Sequence, residues 1–376
     1  MGDTADNISV LLAHNDLYQL FSGEQSGRFG GAEVQLFDLA EELATLPGVS
    51  CYYLTDQEAD YIAHDEITII SVPNPLSSNL ETALQDITTN TSRVLLQTIA
   101  CPAMIELTFS ALDFGIAPVY RVSCDADIDG SLFFDEQVHE RYIQALKASA
   151  GIIVQTPEQA EKIQALHALD SYVIEKGLRI PAQLEQPNQR SGILWVGRCV
   201  ALKQPWLFIE LARALPGQDF HMIMTRDDID LEDAIRADAE QTPNLEVVFN
   251  VPYSDTWQYF LQSEALVGTS LIEGGLPVVY LQAMAMGTPV FSLHVTTENA
   301  QKAHALYYAG GSMSDLQRML ADCFSCKPHT EKYSLHELGE RGRSYFTTHH
   351  GIHESAMRYA QILRLLAKKA GNIDVC

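Results

Sequence analysis

Two cations stand five residues apart in a turn that follows a predicted strand. The strand ends at Val196, Arg198 and Lys203 follow it, and Pro205 sets the first turn of the next predicted helix. Cations this close in a turn repel each other unless an anion lies between them. A diphosphate is a natural occupant of such a turn, and two solvated surface charges are the alternative interpretation.

A second candidate site combines an acidic residue with a glycine pair. Glu273 ends a predicted strand, Gly274 and Gly275 free the backbone at a helix start, and Gln282 follows about two turns into that helix. Helix-start amides favour phosphate, whereas a carboxylate accepts hydrogen bonds from sugar hydroxyls. The pattern fits a nucleotide sugar, with a helix-capping acid as the alternative role of Glu273.

A third candidate is the glycine-rich loop at residues 22–33, between the first predicted strand and the first clear helix. Its pair Gly30 and Gly31 would let backbone N–H groups approach a phosphate, and a flexible loop that starts a helix is the alternative. The loop lacks GxGxxG spacing, and the chain has no GxxxxGK[ST] sequence. The sequence therefore lacks the main motifs that would indicate a dinucleotide-dependent oxidoreductase or a P-loop enzyme.

These loops belong to a repeated alternation of strands and helices, which predicts two α/β domains with parallel sheets. Strands are predicted at Ile8–Ala13, Cys51–Thr55, Ile67–Val72, Val94–Thr98, Pro118–Val122, Gly151–Gln155, Tyr172–Glu175, Ile193–Val196, Phe220–Met224, Leu245–Phe249, Ala265–Gly268, Pro289–Ser292 and Ala305–Tyr308. Helices are predicted from Ala32 and at Pro157–Leu166, Pro205–Leu215, Leu231–Gln241, Ser254–Glu264, Pro277–Met286, Ser314–Phe324 and Glu354–Lys369. A polar, proline-bearing segment at residues 178–191 reads as a linker.

Composition limits the partners of the chain. Of its 376 residues 49 are acidic and 24 basic, which gives a formal net charge of −25. Nucleic acids and anionic membranes bind clustered Lys and Arg, so the balance excludes nucleic acid and argues against a generally anionic membrane surface. The apolar fraction of 47% is enough for hydrophobic cores.

The N-terminal residues and the cysteines together predict a cytoplasmic protein. Segment 1–6 is acidic where a secretory signal is basic, and the first apolar run is too short for a signal core or a membrane span. The seven cysteines are scattered and odd in number, which fits reduced thiols. Cys323 and Cys326 have CxxC spacing but lie in a helical pattern. The HHGIH run at 349–353 lacks a completing ligand set and is expected to face solvent at a helix entry, so no metal site is predicted.

Taken together and in this order, the three candidate segments resemble the retaining glycosyltransferases of family 4, which have the GT-B fold. The GGAE motif, the GRxxxxK turn and the E-G-rich loop leading to AMAxGxPV are matched by Gly30–Glu33, Gly197–Lys203 and Glu273–Val290. The resemblance covers nearly the whole chain and is strongest over residues 192–290.

The resemblance implies two Rossmann-like parallel-sheet domains that face each other across a cleft. Residues 1–180 would form the acceptor-side domain, and residues 181–352 the nucleotide-sugar-binding domain. Residues 353–376 would form a C-terminal helix that crosses back to the first domain. The basic residues of that helix also leave docking at an anionic membrane open.

The resemblance also implies roles for individual residues. Arg198 and Lys203 would hold the donor diphosphate and neutralise the leaving group, so that no metal or other cofactor is required. Glu273 would contact the donor sugar. The remaining donor contacts would come from Gly30 and Gly31, from Gly197, from Val251 in the loop near the base, and from Gly274, Gly275 and Leu276.

Two departures from the family pattern stand out. The family pairs its acids as E-x7-E, whereas this chain has Gln282 one position too late from Glu273. An amide still hydrogen-bonds ribose hydroxyls but forfeits the charge-assisted bond. Many members also have a histidine after the fourth or fifth strand, where this chain has none, and Asp125 is the nearest polar substitute, with a turn cap as its alternative role.

The predicted function is transfer of a hexosyl group from a nucleoside diphosphate sugar to a saccharide, lipid-linked or small-molecule acceptor, with retention of configuration. A non-catalytic sugar-nucleotide-binding protein of the same fold is the rival hypothesis. A GT-B sugar-nucleotide 2-epimerase is a third.

Overall fold

The structure is a computed structural model that describes residues 7–13, 17–22, 30–56, 63–64, 66–73, 75–85, 87, 91–98, 100–130, 135–187, 189–325 and 333–371. The chain forms two compact units. The first unit consists of Met1–Gly23, Ala32–Gly177 and Ile352–Cys376, and the second unit consists of Glu24–Gly31 and Leu178–Gly351. Cys326, one half of the CxxC pair, lies outside the described residues.

The first unit is built on an eight-stranded sheet. Its strands are β1 (Ile8–Ala13), β2 (Val49–Thr55), β3 (Ala63–His64), β4 (Ile67–Ser71), β5 (Ser92–Thr98), β6 (Ala117–Arg121), β7 (Gly151–Val154) and β8 (Tyr172–Val173). They are arranged in the order β3-β4-β2-β1-β5-β6-β7-β8, and all neighbours are parallel except β3 and β4. Every residue of β1 is buried, as expected for a central strand covered on both faces.

Helices connect these strands and cover the sheet. They are α1 (Tyr18–Ser22), α2 (Gly31–Ala44), α3 (Leu80–Leu84), α4 (Pro102–Asp113), α5 (Glu136–Ala148) and α6 (Pro157–His167). Local sequence explains their starts: Asp135 and Thr156 cap α5 and α6 by accepting from the backbone N–H groups of Val138 and Gln159.

The second unit has a six-stranded sheet with the doubly wound order. Its strands are β9 (Ile193–Arg198), β10 (Phe220–Thr225), β11 (Leu245–Phe249), β12 (Ala265–Gly268), β13 (Val290–Ser292) and β14 (Tyr307–Tyr308). They are all parallel and lie in the order β11-β10-β9-β12-β13-β14. The strand order reverses between β9 and β12: from β9 the chain adds strands on one side, and from β12 it adds them on the other. The carboxyl ends of β9 and β12 therefore flank the crevice where such sheets bind ligands.

The helices of the second unit are α7 (Pro205–Ala214), α8 (Ile229–Glu240), α9 (Tyr253–Gln262), α10 (Val278–Ala285), α11 (Glu298–Lys302), α12 (Met313–Phe324) and α13 (Leu335–His349). Helix α10 is buried along nearly its whole length. It packs against α13, where a Cβ on Gly339 would lie 2.2 Å from the carbonyl oxygen of Gly287. Glycine at position 339 therefore sets how closely these segments approach.

The last helix, α14 (Ile352–Gly371), packs on the first unit. Its residues Tyr359, Leu363 and Leu366 join the core formed with β1 and α2. Two of its cations bind backbone carbonyls of the same unit: Arg358 donates to Val173 O at 2.8 Å and Arg364 to Pro47 O at 2.7 Å. These two arginines thus have a role in packing, which is the simpler explanation of the basic helix.

Two further findings concern segments singled out in the sequence. The HHGIH run was expected to face solvent at a helix entry, and this is wrong for His350, which is buried at the end of α13. Within the described residues, no helix is long and apolar enough to cross a membrane.

Candidate functional site

The turn between β9 and α7 fixes the two predicted phosphate-binding cations. Arg198 ends β9, and the next residue, Cys199, donates its backbone N–H to Thr225 O at 2.9 Å. A short helical turn then ends at Lys203, whose N–H donates to Val200 O at 3.0 Å. Gln204 has a positive φ of 47°, which redirects the chain into α7. Backbone bonds thus hold both ends of the turn.

The loop after β12 is fastened to this turn. The hydroxyl of Thr269 donates to Lys203 O at 2.7 Å and accepts from Trp195 Nε1 at 2.9 Å. The backbone N–H of Leu271 donates to Leu202 O at 2.9 Å. The segments that follow the two strands at the reversal point of the sheet are therefore joined by hydrogen bonds.

That fastening brings Lys203 and Glu273 together. The ammonium of Lys203 donates to Glu273 Oε1, and the two side chains are only 25% and 16% exposed. An ion pair shielded from water in this way is stronger than a surface pair. In the sequence these residues belong to two separate candidate segments, which the structure joins into one site.

Arg198 has a carboxylate of its own. Its Nη1 lies 3.3 Å from Oδ2 of Asp227, which follows β10, and the side chains are 44% and 32% exposed. The expectation that the two cations need a shared anion is therefore incomplete, since each faces a separate carboxylate. A diphosphate would meet two cations whose positions those carboxylates already restrict.

The loop at residues 274–276 leads into α10. Gly274 and Leu276 are buried, and Gly275 has a φ of +67°, a left-handed conformation that favours glycine. Close packing also fixes the base of this helix, since a Cβ on Gly268 would lie 2.0 Å from the hydroxyl of Tyr280. The backbone of the loop is thus positioned by packing on both sides.

Gln282 lies inside α10 and is 3% exposed. Its Nε2 has no hydrogen-bond partner among the residues that the structure describes. A buried amide without a partner costs free energy, and such groups in native proteins call for an explanation. A ribose hydroxyl is the acceptor that the family resemblance implies.

The other glycines predicted to bind donor lie in two places. Gly197 is in β9, where a Cβ would lie 2.9 Å from the ring of Trp195. Gly31 belongs to the second unit, and a Cβ there would lie 3.1 Å from Cγ2 of Val278 at the start of α10. Gly30 precedes it and is half-buried. At positions 197 and 31 the close neighbours favour glycine.

Val251 is half-buried in the loop between β11 and α9. The residue before it, Asn250, has a φ of 55° and accepts from the backbone N–H of Arg226 at 3.1 Å. This contact ties the loop after β11 to the loop after β10. The predicted base-binding loop is therefore held at the carboxyl edge of the sheet.

A cluster beside this loop was missed in the sequence. Glu232 is buried and pairs with both Arg226 and Arg236, at 3.1 and 2.7 Å. The Arg236 guanidinium lies 3.7 Å from the centroid of the Phe249 ring. The i,i+4 spacing of Glu232 and Arg236 on a predicted helix was the available signal.

Asp125 lies in the first unit, in a short helical turn after β6. Its carboxylate accepts from Gln159 Nε2 at 2.7 Å. The more deeply buried acid is Asp127, which accepts from Ser123 N, Ser123 Oγ and Cys124 N at 2.9, 2.8 and 2.8 Å. Burial raises the pKa of the Asp127 carboxyl, and these hydrogen bonds act in the opposite direction. The catalytic role of Asp125 stays a prediction.

No cluster of three or more His, Cys, Asp or Glu side chains that could hold a metal ion occurs in the described part of the chain.

Comparisons with known proteins fit this arrangement. Residues 190–323 match the family model described as Glycosyl transferases group 1, and this stretch contains Arg198, Lys203, Glu273 and Gln282. No curated protein matches the chain by sequence.

Three solved structures are similar over nearly the whole chain. A sucrose-phosphate synthase from Thermosynechococcus elongatus is 15% identical with a TM-score of 0.71, covering 96% of this chain and 99% of that one. HepE from Anabaena in complex with UDP-glucose is 14% identical with a TM-score of 0.71, covering 94% and 99%. A glycosyltransferase from Rickettsia africae is 13% identical with a TM-score of 0.70, covering 96% and 99%. At these identities the likeness establishes the fold, and the predicted GT-B fold with two Rossmann-like parallel-sheet units is confirmed.

Proposed function

We propose that the chain is a glycosyltransferase of family 4 that transfers a hexosyl group from a nucleoside diphosphate sugar to a saccharide, lipid-linked or small-molecule acceptor. The fold and the family match support the coarser part of this proposal, a GT-B glycosyltransferase that binds a nucleotide sugar. The observation that carries it is the Lys203–Glu273 ion pair at the reversal point of the second sheet.

The site divides the work between its residues. Arg198 and Lys203 bind the diphosphate and neutralise the charge that develops as the glycosidic bond to phosphate breaks. Glu273 accepts from hydroxyls of the donor sugar, and the backbone of Gly274, Gly275 and Leu276 donates to sugar and phosphate oxygens. With two cations on the leaving group, no metal ion is required.

Configuration at the anomeric carbon is retained in this proposal. The acceptor attacks from the face that the diphosphate leaves, and the departing phosphate helps to remove the acceptor proton. In this route the first unit does not have to supply a strong general base. It agrees with the absence of a histidine from segments 96–102 and 122–127, where many members of the resembled family have one.

The donor is proposed to be a UDP-sugar. HepE, one of the similar structures, is a complex with UDP-glucose. The loop containing Val251 would lie near the uracil ring, and Gln282 would donate to the ribose. The proposed location is the cytoplasm, where nucleotide sugars are available to a reduced, acidic protein.

A non-catalytic sugar-nucleotide-binding protein is the second candidate. It is favoured by Gln282, which stands where the family has a carboxylate and so cannot make the charge-assisted bond. The fold and the diphosphate contacts would be the same in both cases. Turnover separates the two candidates.

Incubation with UDP-glucose, UDP-N-acetylglucosamine and GDP-mannose, with and without a panel of acceptors, tests the proposal. We expect transfer from one of these donors, an α-linked product by NMR, and loss of turnover in Glu273→Gln with donor binding retained. The matched control is Glu298→Gln, a change in an exposed ion pair. Binding without turnover in the wild type would favour the non-catalytic protein, and an epimerised donor without acceptor would identify an epimerase.

A further inference from the structure

Arg121 is a fully buried arginine that the proposed donor site does not use. It ends β6 in the first unit, in register with Thr98 of β5 and Ile153 of β7, and its exposure is 0%. Its Nη1 donates to Thr98 Oγ1 at 3.4 Å. Among the described residues, neither Nε nor Nη2 has a hydrogen-bond partner.

The two unpaired nitrogens form one edge of the guanidinium plane. That edge presents two parallel N–H groups, which is the fork that binds a carboxylate or a phosphate through two hydrogen bonds. A buried guanidinium without an anion is strongly unfavourable, because it has lost its hydration without gaining an opposite charge. The edge is therefore shaped for an oxyanion.

Among the described residues, the two acids nearest to Arg121 along the chain do not supply that oxyanion. Asp125 and Asp127 follow Arg121 closely in sequence, but Asp125 accepts from Gln159 and Asp127 from Ser123 and Cys124. Both carboxylates are thus bound to neighbours in the turn that follows β6. An oxyanion that binds this edge would therefore have to come from outside these two residues.

A hydroxyl lies beside the guanidinium. Tyr359 of α14 is 1% exposed, and its hydroxyl is near Arg121 without an aligned hydrogen bond. Burial raises the pKa of Tyr359, and Arg121 and Arg358 act in the opposite direction. The hydroxyl can therefore donate to the same anion that the guanidinium binds.

The position in the fold also fits a ligand. Arg121 and Thr98 are the last residues of adjacent parallel strands, and open parallel sheets bind their ligands at the carboxyl ends of strands. This edge belongs to the unit that the family resemblance assigns to the acceptor.

We propose that Arg121, with Thr98 and Tyr359, forms a binding site for the phosphate or carboxylate group of a small molecule. This inference rests on the proposed function, under which the small molecule is the acceptor. The acceptor is then a phosphorylated or carboxylated sugar. The deep burial of the guanidinium selects a free small molecule over a lipid headgroup held in a bilayer.

Thermal unfolding with inorganic phosphate or acetate tests the site, in a Lys203→Met background that weakens the donor phosphate site. Arg121→Met should fold, because an apolar residue of similar volume replaces a buried ion at little cost. We expect it to weaken anion binding about 10- to 100-fold, since hydrogen bonds between charged groups are lost. Arg121→Lys keeps the charge without the fork and should also weaken binding, whereas Arg141→Met, in an exposed ion pair with Glu106, should not.

The same anion response in Arg121→Met and Arg141→Met would overturn the proposal, as would no response to either anion. A second readout uses transfer to a hexose phosphate, a hexuronic acid and the free hexose. Arg121→Met should raise KM for the anionic acceptors alone, and an equal effect on all three would also overturn it. Phosphate binding that depends on Arg121 without nucleotide-sugar binding would retain this site and reject the proposed function.

Discussion

Lys203 and Glu273 form an ion pair although 70 residues separate them, because Thr269 and Leu271 tie the loop after β12 to the turn after β9. In the proposed donor site, the pair places the cation that would bind phosphate next to the carboxylate that would bind sugar hydroxyls. In the proposed reaction, diphosphate and sugar are the two sides of the bond that breaks. The ion pair therefore marks where that bond would lie.

A double-mutant cycle should detect the coupling between these residues. Lys203→Met and Glu273→Gln each leave a partly buried charge without its partner, so each should destabilise the protein by about 1–3 kcal/mol. The double mutant should be less destabilised than the sum of the two, because neither charge is then stranded. Urea unfolding of the four proteins measures the effect, and additivity would show that the pair contributes no coupling.

Gln282 should affect donor binding rather than folding. Gln282→Leu removes a buried amide whose Nε2 has no partner in the described structure, so the free energy of unfolding without ligand should stay the same or rise. Affinity for UDP should fall about tenfold if that nitrogen donates to the ribose. Calorimetric titration with UDP checks this, and unchanged affinity would remove Gln282 from the donor site.

Gly268 should tolerate no side chain. A Cβ there would lie 2.0 Å from the Tyr280 hydroxyl and 2.3 Å from the same ring, so Gly268→Ala must displace α10 or the strand. We expect destabilisation of about 1–3 kcal/mol from overpacking, together with weaker donor binding. Gly217→Ala is the matched control, because its Cβ meets no atom within 4 Å. Equal melting temperatures for the two variants would contradict the close packing of α10.

Asp127 should make a distinct contribution to the pH dependence of stability. Burial raises its pKa in the folded protein above the unfolded value. The folded state then binds more protons between these two values, so this contribution to stability is present at low pH and lost as pH rises through the folded pKa. Asp127→Asn should remove it.

The measurement is the melting temperature of wild type and Asp127→Asn between pH 3 and pH 7. The difference between the two curves isolates Asp127 from the other acids. A difference that does not change with pH would show that the pKa of Asp127 is the same in both states.

The strands were largely predictable from the sequence, because buried parallel strands are short continuous apolar runs bounded by polar turns. The β1, β11 and β12 bounds agree residue for residue with the prediction. Helices with a thin apolar stripe were missed. Of the 13 residues of α5, only Tyr142, Ala145 and Leu146 are buried.

Helix α13 was missed for a different reason. Its Gly339 and Gly342 lower helix propensity, yet both allow close contact with the segment around α10. A residue that disfavours the helix locally is thus favoured by tertiary packing. Such a conflict cannot be read from the local pattern.

The residues of the candidate site could be singled out from their types and spacing, but the way they pair could not. Arg198, Lys203 and Glu273 stood out through charge and spacing. That Lys203 meets Glu273, while Arg198 meets Asp227, depends on hydrogen bonds between loops that are distant in sequence. The unpaired edge of Arg121 likewise follows from three-dimensional burial.

Calorimetric titration of UDP into wild type, Lys203→Met and Lys302→Met asks whether Lys203 binds the diphosphate of the donor. Lys302 lies in an exposed ion pair and serves as the control. We expect equal affinity for wild type and Lys302→Met, and an affinity at least about tenfold weaker for Lys203→Met. The same affinity in all three proteins would contradict this expectation.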